Sequence, residues 1–86
     1  MNMTKDEVVR AVLQEASKVE KDAQEPKLDA KVFEVFDVLE VVEFSMNLED
    51  RFKIHVSEEE ADSFEEMTFE EVVFFVQKKL QEKEAT

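Results

Sequence analysis

The chain has 86 residues, so we expect residues 1–86 to form one domain with a modest core. It contains no cysteine and no glycine, which excludes disulfides, iron–sulfur clusters and thiolate zinc sites and disfavours tight hairpins. The net charge is −12, from 11 basic and 23 acidic residues, so nucleic acid is not expected as a partner and a basic protein surface is favoured.

The negative charge is concentrated in the middle of the chain. Residues 34–71 hold 14 acidic residues and two basic ones, Arg51 and Lys53, while the acids and bases of the remainder cancel. A uniform solubilising charge would not leave both ends neutral, so this pattern favours a focused binding surface over a merely solvated one. No apolar run is long enough for a membrane span, and no metal-ligand spacing is present, so neither membrane nor metal is expected.

Four helix starts are predicted by one capping pattern, in which Asp, Ser or Thr caps a helix and a Glu three residues later reaches back. The four pairs are Thr4 with Glu7, Asp37 with Glu40, Ser57 with Glu60, and Thr68 with Glu71. Each pair stands at the edge of an apolar-periodic stretch, which predicts an all-α four-helix bundle.

The first predicted helix covers residues 5–20, and its apolar stripe consists of Val8, Val12, Ala16 and Val19. Pro26, in the polar stretch 21–27, ends it and opens a long connection to residue 36. We expect four apolar side chains to hold this connection against the core: Leu28, Val32, Phe33 and Phe36.

The second predicted helix covers residues 38–52, and a short third helix follows Ser57 and carries Ala61 and Phe64. The last helix is predicted over residues 69–81, and we expect residues 82–86 to be frayed. Five of its side chains are expected to face inward: Phe69, Val72, Val73, Val76 and Leu80.

The second helix has two apolar stripes, although a bundle helix needs only one. Val41, Phe44, Leu48 and Phe52 form the expected core face. Val38, Leu39, Val42 and Met46 form a second stripe roughly 115° away, bordered by Glu43, Glu49 and Asp50. An apolar centre with an acidic rim is typical of a docking surface. The alternative is that the connection 21–36 folds over the second stripe and buries it.

Residues 37–52 resemble the recognition helix of acyl carrier proteins. That helix begins with Asp-Ser-Leu, continues with Val-Glu and Leu or Phe, and contains a Met and a run of acids that ends in Phe; here it reads Asp37-Val38-Leu39 through to Phe52. Residues 54–62 are similar to the family's segment before and into its short third helix, and residues 68–73 to the start of its last helix. The resemblance extends over about residues 4–80 and implies the same order of four helices.

The sequence departs from the family where the prosthetic group is attached. The family's Asp-Ser-Leu serine carries 4′-phosphopantetheine, but Val38 stands there and has no hydroxyl for a phosphodiester. Val35 lies near the place of a usual glycine, and Ser45 lies two turns down the helix, close to its core face. We therefore expect no 4′-phosphopantetheine at this position.

The resemblance implies a protein-binding role for the second helix, because the family's partners present Arg and Lys to its acids and seat its Leu and Met positions. The corresponding residues here are Asp37, Val38, Leu39, Glu40, Val42, Glu43, Met46, Glu49 and Asp50. Mitochondrial members of the family hold small helical proteins of the LYR type in iron–sulfur cluster assembly and respiratory complexes. The resemblance thus favours an adaptor or structural subunit, and it leaves the compartment open between the mitochondrial matrix, for a mature form, and the cytoplasm.

The sequence offers two alternative functions. One is an acyl carrier protein of fatty-acid or polyketide synthesis whose serine was replaced by engineering, although the missing glycine near Val35 favours natural divergence. The other is a small hydrolase or isomerase. The only histidine, His55, has no serine, lysine or aspartate at a regular spacing that would make a nucleophile–base pair, so no enzymatic activity is expected.

Overall fold

A computed structural model describes residues 3–19 and 24–84. Within them the protein is all-helical, which confirms the predicted all-α class, and it has five helices where four were predicted, the short helix Val32–Val35 being the additional one. The helices are α1 (Lys5–Val19), α2 (Val32–Val35), α3 (Val38–Phe52), α4 (Glu58–Ser63) and α5 (Phe69–Glu84), with a 3₁₀ turn at Phe64–Glu66. The four predicted helices correspond to α1, α3, α4 and α5, and the described ranges contain no strand, only an isolated bridge between Lys31 and Thr68.

All four predicted capping boxes are formed. In each box the Glu carboxylate accepts a hydrogen bond from the cap residue's backbone N–H, and the cap side chain accepts one from the Glu N–H, over 2.8–3.2 Å. A cap of this kind contributes about 0.5–2 kcal/mol to helix stability. At the other end of α3, Lys53 adopts a left-handed conformation with φ of 56°, and its N–H donates to the Glu49 carbonyl.

The core lies between α1, α3 and α5 and is closed by aromatic rings. Phe44, Phe64 and Phe69 are fully buried. The ring of Phe36, which follows α2, lies 5.4 Å from that of Phe44 and 5.8 Å from that of Phe69, measured between centroids. The Phe36 contacts fix the entry to α3 against the core.

The described part of the predicted connection, residues 24–36, is held by hydrogen bonds to residues at and just before the start of α5. The Val32 N–H donates to the Met67 carbonyl at 2.9 Å, and the Phe69 N–H donates to the Ala30 carbonyl at 3.0 Å. Val32 and Phe36 are buried and Leu28 is partly buried, as predicted. The prediction for Phe33 was wrong, because the short helix α2 rotates it about 100° from the buried Val32 and leaves it 66% exposed.

The predicted helix ends need smaller corrections. Residues 82–84 were expected to be frayed, but α5 continues to Glu84. Val19 and Leu80 pack against the core, as expected, and are partly buried. The predicted last residue of the first helix, Glu20, the connection residues 21–23 and the tail residues 85–86 lie outside the described residues.

Candidate functional site

The two stripes of α3 differ completely in exposure. The four residues of the predicted core face are buried: Val41, Phe44, Leu48 and Phe52. The second stripe is open to solvent, with Val38 66%, Leu39 80%, Val42 46% and Met46 57% exposed. Residues 24–36 of the connection pack against the start of α5, so they do not bury the second stripe as the alternative interpretation required.

The five acidic residues proposed for binding fall into three groups. Glu43 and Asp50 are exposed and make no ion pair within the described ranges. Asp37 and Glu40 form the capping box of α3, each through one carboxylate oxygen. Glu49 is only partly exposed, because its carboxylate accepts a hydrogen bond from the Val56 N–H at 2.9 Å.

The hydrogen bond of Glu49 gives this residue a structural task that its sequence position did not reveal. Its carboxylate ties the end of α3 to the connection 53–57, and it also lies 3.4 Å from Nδ1 of the exposed His55. His55 lies in this connection, between α3 and α4. Glu43 and Asp50 are therefore the carboxylates of α3 that are most available to a cationic partner.

Val38 is the first residue of α3, directly after the capping residue Asp37. Its exposed isopropyl group provides no atom that could form a phosphodiester, so the residues at this position do not fit 4′-phosphopantetheine. Ser45 does not substitute for it, because its side chain is buried and its hydroxyl donates to the Val42 carbonyl at 2.7 Å. Ser57 caps α4, and the hydroxyls of Ser17 and Ser63 donate to backbone carbonyls of their own helices.

An ion pair between the buried Glu15 and Arg51 joins α1 to α3, and the sequence patterns did not predict it. Glu15 is 4% exposed, and its carboxylate lies 2.7 Å from the Arg51 guanidinium and 3.0 Å from the Lys18 ammonium. Arg51 also donates to the Gln14 side chain at 3.1 Å. The only basic residue of α3 is thus directed towards α1 and does not neutralise Glu43.

Searches for other site types give two results. Among the described residues there is no group of three or more His, Cys, Asp or Glu placed to hold a metal ion. None of the described helices combines the length and the apolar character that a bilayer crossing requires.

Comparison of the chain with known protein families, with characterised proteins and with solved structures finds no match. Its function therefore has to be inferred from the surface of α3 and from the resemblance of residues 37–52 to a carrier recognition helix.

Proposed function

We propose that this protein is a carrier-like adaptor: an acyl-carrier-type module that binds a basic helical protein partner through α3 and carries no 4′-phosphopantetheine at Val38. The observation that supports this proposal is the exposed second stripe of α3, bordered by the exposed carboxylates of Glu43 and Asp50, which make no ion pair within the described residues. An amphipathic helix needs one apolar face for folding. A second apolar face, rimmed by charge of one sign, is the composition of a binding surface.

The charges define the chemistry of the partner. Glu43 and Asp50 are exposed and unpaired within the described part of the chain, and each can accept an Arg or Lys. Asp37 and Glu40 each use one oxygen for capping, so their remaining lone pairs can also accept hydrogen bonds at the rim. A partner with an apolar stripe flanked by cations complements this surface in both respects.

The resemblance to mitochondrial carriers suggests the partner class. By that resemblance the partner would be a small LYR-type helical protein of iron–sulfur cluster assembly or respiratory complexes, presenting Arg and Lys to the acids of α3. In this proposal, the exposed side chain of Val38 makes direct apolar contact where ordinary family members would contribute a prosthetic arm. Met46 suits the same surface because its unbranched, polarisable side chain adapts to different contours.

The test uses a synthetic 18-residue amphipathic helix with Leu and Ala on one face and Arg and Lys on the other. Fluorescence anisotropy measures its affinity, and amide chemical shifts locate its binding site. The double variant Glu43→Lys and Asp50→Lys should weaken binding by about tenfold or more at low salt, because two charge-assisted contacts become repulsive. Glu49 is left unchanged, since reversing its charge would also release the Val56 N–H.

The matched control is the double variant Glu25→Lys and Glu82→Lys. Both residues are exposed and lie outside the acidic segment 34–71. Because each double variant replaces two glutamates or aspartates by two lysines, the two variants change the net charge by the same amount. The control should retain most of the affinity, with the remaining loss removed by added salt. Equal weakening by the two double variants, or chemical-shift changes that avoid α3, would refute the proposed function.

A further inference from the structure

The short helix α2 presents an exposed aromatic side chain directly before α3. Phe33 is 66% exposed, although its neighbour Val32 is fully buried. Aromatic side chains are enriched among the residues that dominate binding energy, since they offer a large contact area with few rotatable bonds. The protein fold does not use this ring in the core, where the other side of α2 supplies the packing.

The backbone that carries Phe33 is held on both sides. The Val32 N–H donates to the Met67 carbonyl at 2.9 Å, and the Phe36 N–H donates to the Val32 carbonyl at 2.8 Å. The Glu34 carboxylate accepts a hydrogen bond from the Lys31 N–H at 3.3 Å, which caps the same turn. Phe33 is therefore pre-positioned, and its burial by a partner requires little further ordering of the main chain.

The position of α2 connects Phe33 to the second stripe of α3. Val38 lies five positions after Phe33 in the sequence, so their Cα atoms lie no more than about 18 Å apart. From Val38 to Met46 the stripe extends about 12 Å along α3. A partner helix of about 20 residues is about 30 Å long and can reach from Phe33 to Met46.

The charges between these points match the charges of the α3 rim. The sequence from Phe33 to Glu40 contains Glu34, Asp37 and Glu40 and no basic residue. A basic helix therefore meets favourable charges over this whole stretch, whereas a second copy of this acidic chain would be repelled.

We propose that Phe33 is a further anchor of the docking surface, and that the partner is a basic helix of about 20 residues with a notch of small side chains for the phenyl ring. This inference rests on the proposed function and adds α2 to the binding surface. A helix of about 20 residues is long enough to contact both Phe33 and the α3 stripe, whereas the stripe alone extends only about 12 Å.

The experiment compares two synthetic basic amphipathic helices of the same composition, one of 20 residues and one of 11. Phe33→Ala should weaken binding of the longer peptide about tenfold and leave the shorter one within about twofold, since the shorter helix covers only α3. Met46→Ala should weaken both peptides. The matched control is Phe74→Ala, which removes another exposed phenylalanine, 50% exposed on α5, and should change neither affinity.

The outcomes separate the two proposals. If Phe33→Ala behaves like Phe74→Ala while Met46→Ala still weakens both peptides, the inference about Phe33 is overturned and the proposed function stands. If Met46→Ala also has no effect, the proposed function fails as well. Sedimentation of the protein alone gives a further test: dimerisation that Phe33→Ala abolishes would assign the ring to a second copy and overturn the inference.

Discussion

Helices α3 and α5 have nearly the same length, 15 and 16 residues, and both pack against α1, yet their outer faces differ. The outer face of α5 is mainly polar, and its one exposed aromatic, Phe74, lies under the ammonium of Lys5 at 5.0 Å from the ring centroid. The outer face of α3 exposes four apolar side chains in one stripe. Core packing accounts for the pattern of α5, but it accounts for only half of the pattern of α3.

The charges of the two helices differ in the same sense. Helix α5 contains four acidic and three basic residues, and its Lys79 pairs with Glu60 of α4 at 2.9 Å. Helix α3 contains four acidic residues and Arg51 alone as a base. Since Arg51 binds the buried Glu15, the outer acids of α3 remain unbalanced. The comparison indicates that α5 uses its charges within the fold, while α3 keeps charge and apolar area available to a partner.

The largest expected effect separates the two faces of α3. Phe44→Ala should destabilise the protein by about 3–5 kcal/mol, because the ring is fully buried and packs against three other aromatic rings. Leu39→Ala should change stability by less than about 0.5 kcal/mol, because this side chain is 80% exposed. Equilibrium urea unfolding measures both. A comparable loss from Leu39→Ala would mean that the second stripe is buried and has no free docking face.

An intermediate effect is expected at the ion pair between α1 and α3. Arg51→Met keeps an unbranched, flexible side chain but removes both hydrogen bonds of the guanidinium, so that the buried Glu15 retains only Lys18. We expect a loss of about 1–2 kcal/mol in the free energy of unfolding, reduced from the value for a fully buried pair because Arg51 is partly exposed.

The corresponding pair of α5 provides the control for Arg51. Lys79→Met removes a contact to Glu60 in which both side chains are partly exposed, so the expected loss is about 1 kcal/mol or less. Chemical denaturation of the two variants, with Glu15→Gln added to Arg51→Met, tests the assignment. Adding Glu15→Gln should recover part of the loss, since it removes the charge that Arg51 had balanced. Equal losses for Arg51→Met and Lys79→Met would contradict the expectation that the ion pair with the buried Glu15 contributes more to the free energy of unfolding than the partly exposed pair of Lys79 and Glu60 does.

The parts of the fold that could be predicted from the sequence are those governed by local rules. The capping box of Asp37 and Glu40 gave the first residue of α3, because both hydrogen bonds form within four residues. The periodicity of Phe44 and Leu48 identified the buried face, because a helix places residues four apart on one side. The fold class and the main helices followed from these two signals.

The missed features depend on contacts distant in sequence. The direction of Phe33 follows from α2, whose register is set by a hydrogen bond to Met67 in the connection before α5. The task of Glu49 depends on the conformation of the connection that follows α3. Glu15 could have been recognised as unusual, because it lies at helical spacing from the inward-facing Ala11 and Val12, but its partner Arg51 is 36 residues away.

The smallest expected effect concerns Glu60, whose carboxylate serves the α4 cap and the ion pair to α5. The hydrogen bond from the Ser57 backbone N–H, followed by that from Lys79, lowers the pKa of Glu60 below its usual value of 4.5. Because the pKa is lower in the folded than in the unfolded chain, this stabilisation is complete above about pH 4.5 and is lost as the pH falls through the folded-state pKa.

Glu60→Gln should therefore lower the midpoint of thermal unfolding by roughly 1–3 °C at pH 7, and its difference from the wild type should shrink at pH 3, because protonation of the Glu60 carboxyl group increases as the pH falls. The control Glu59→Gln changes a neighbouring exposed residue for which the described residues offer no hydrogen bond, so it should follow the wild type at both pH values. A deficit of Glu60→Gln that persists unchanged at pH 3 would mean that its charge is not what stabilises the fold. A deficit that is smaller at pH 3 would instead show that the charged Glu60 carboxylate stabilises the fold through Ser57 and Lys79, whereas Glu43 and Asp50 of α3 make no ion pair within the described residues.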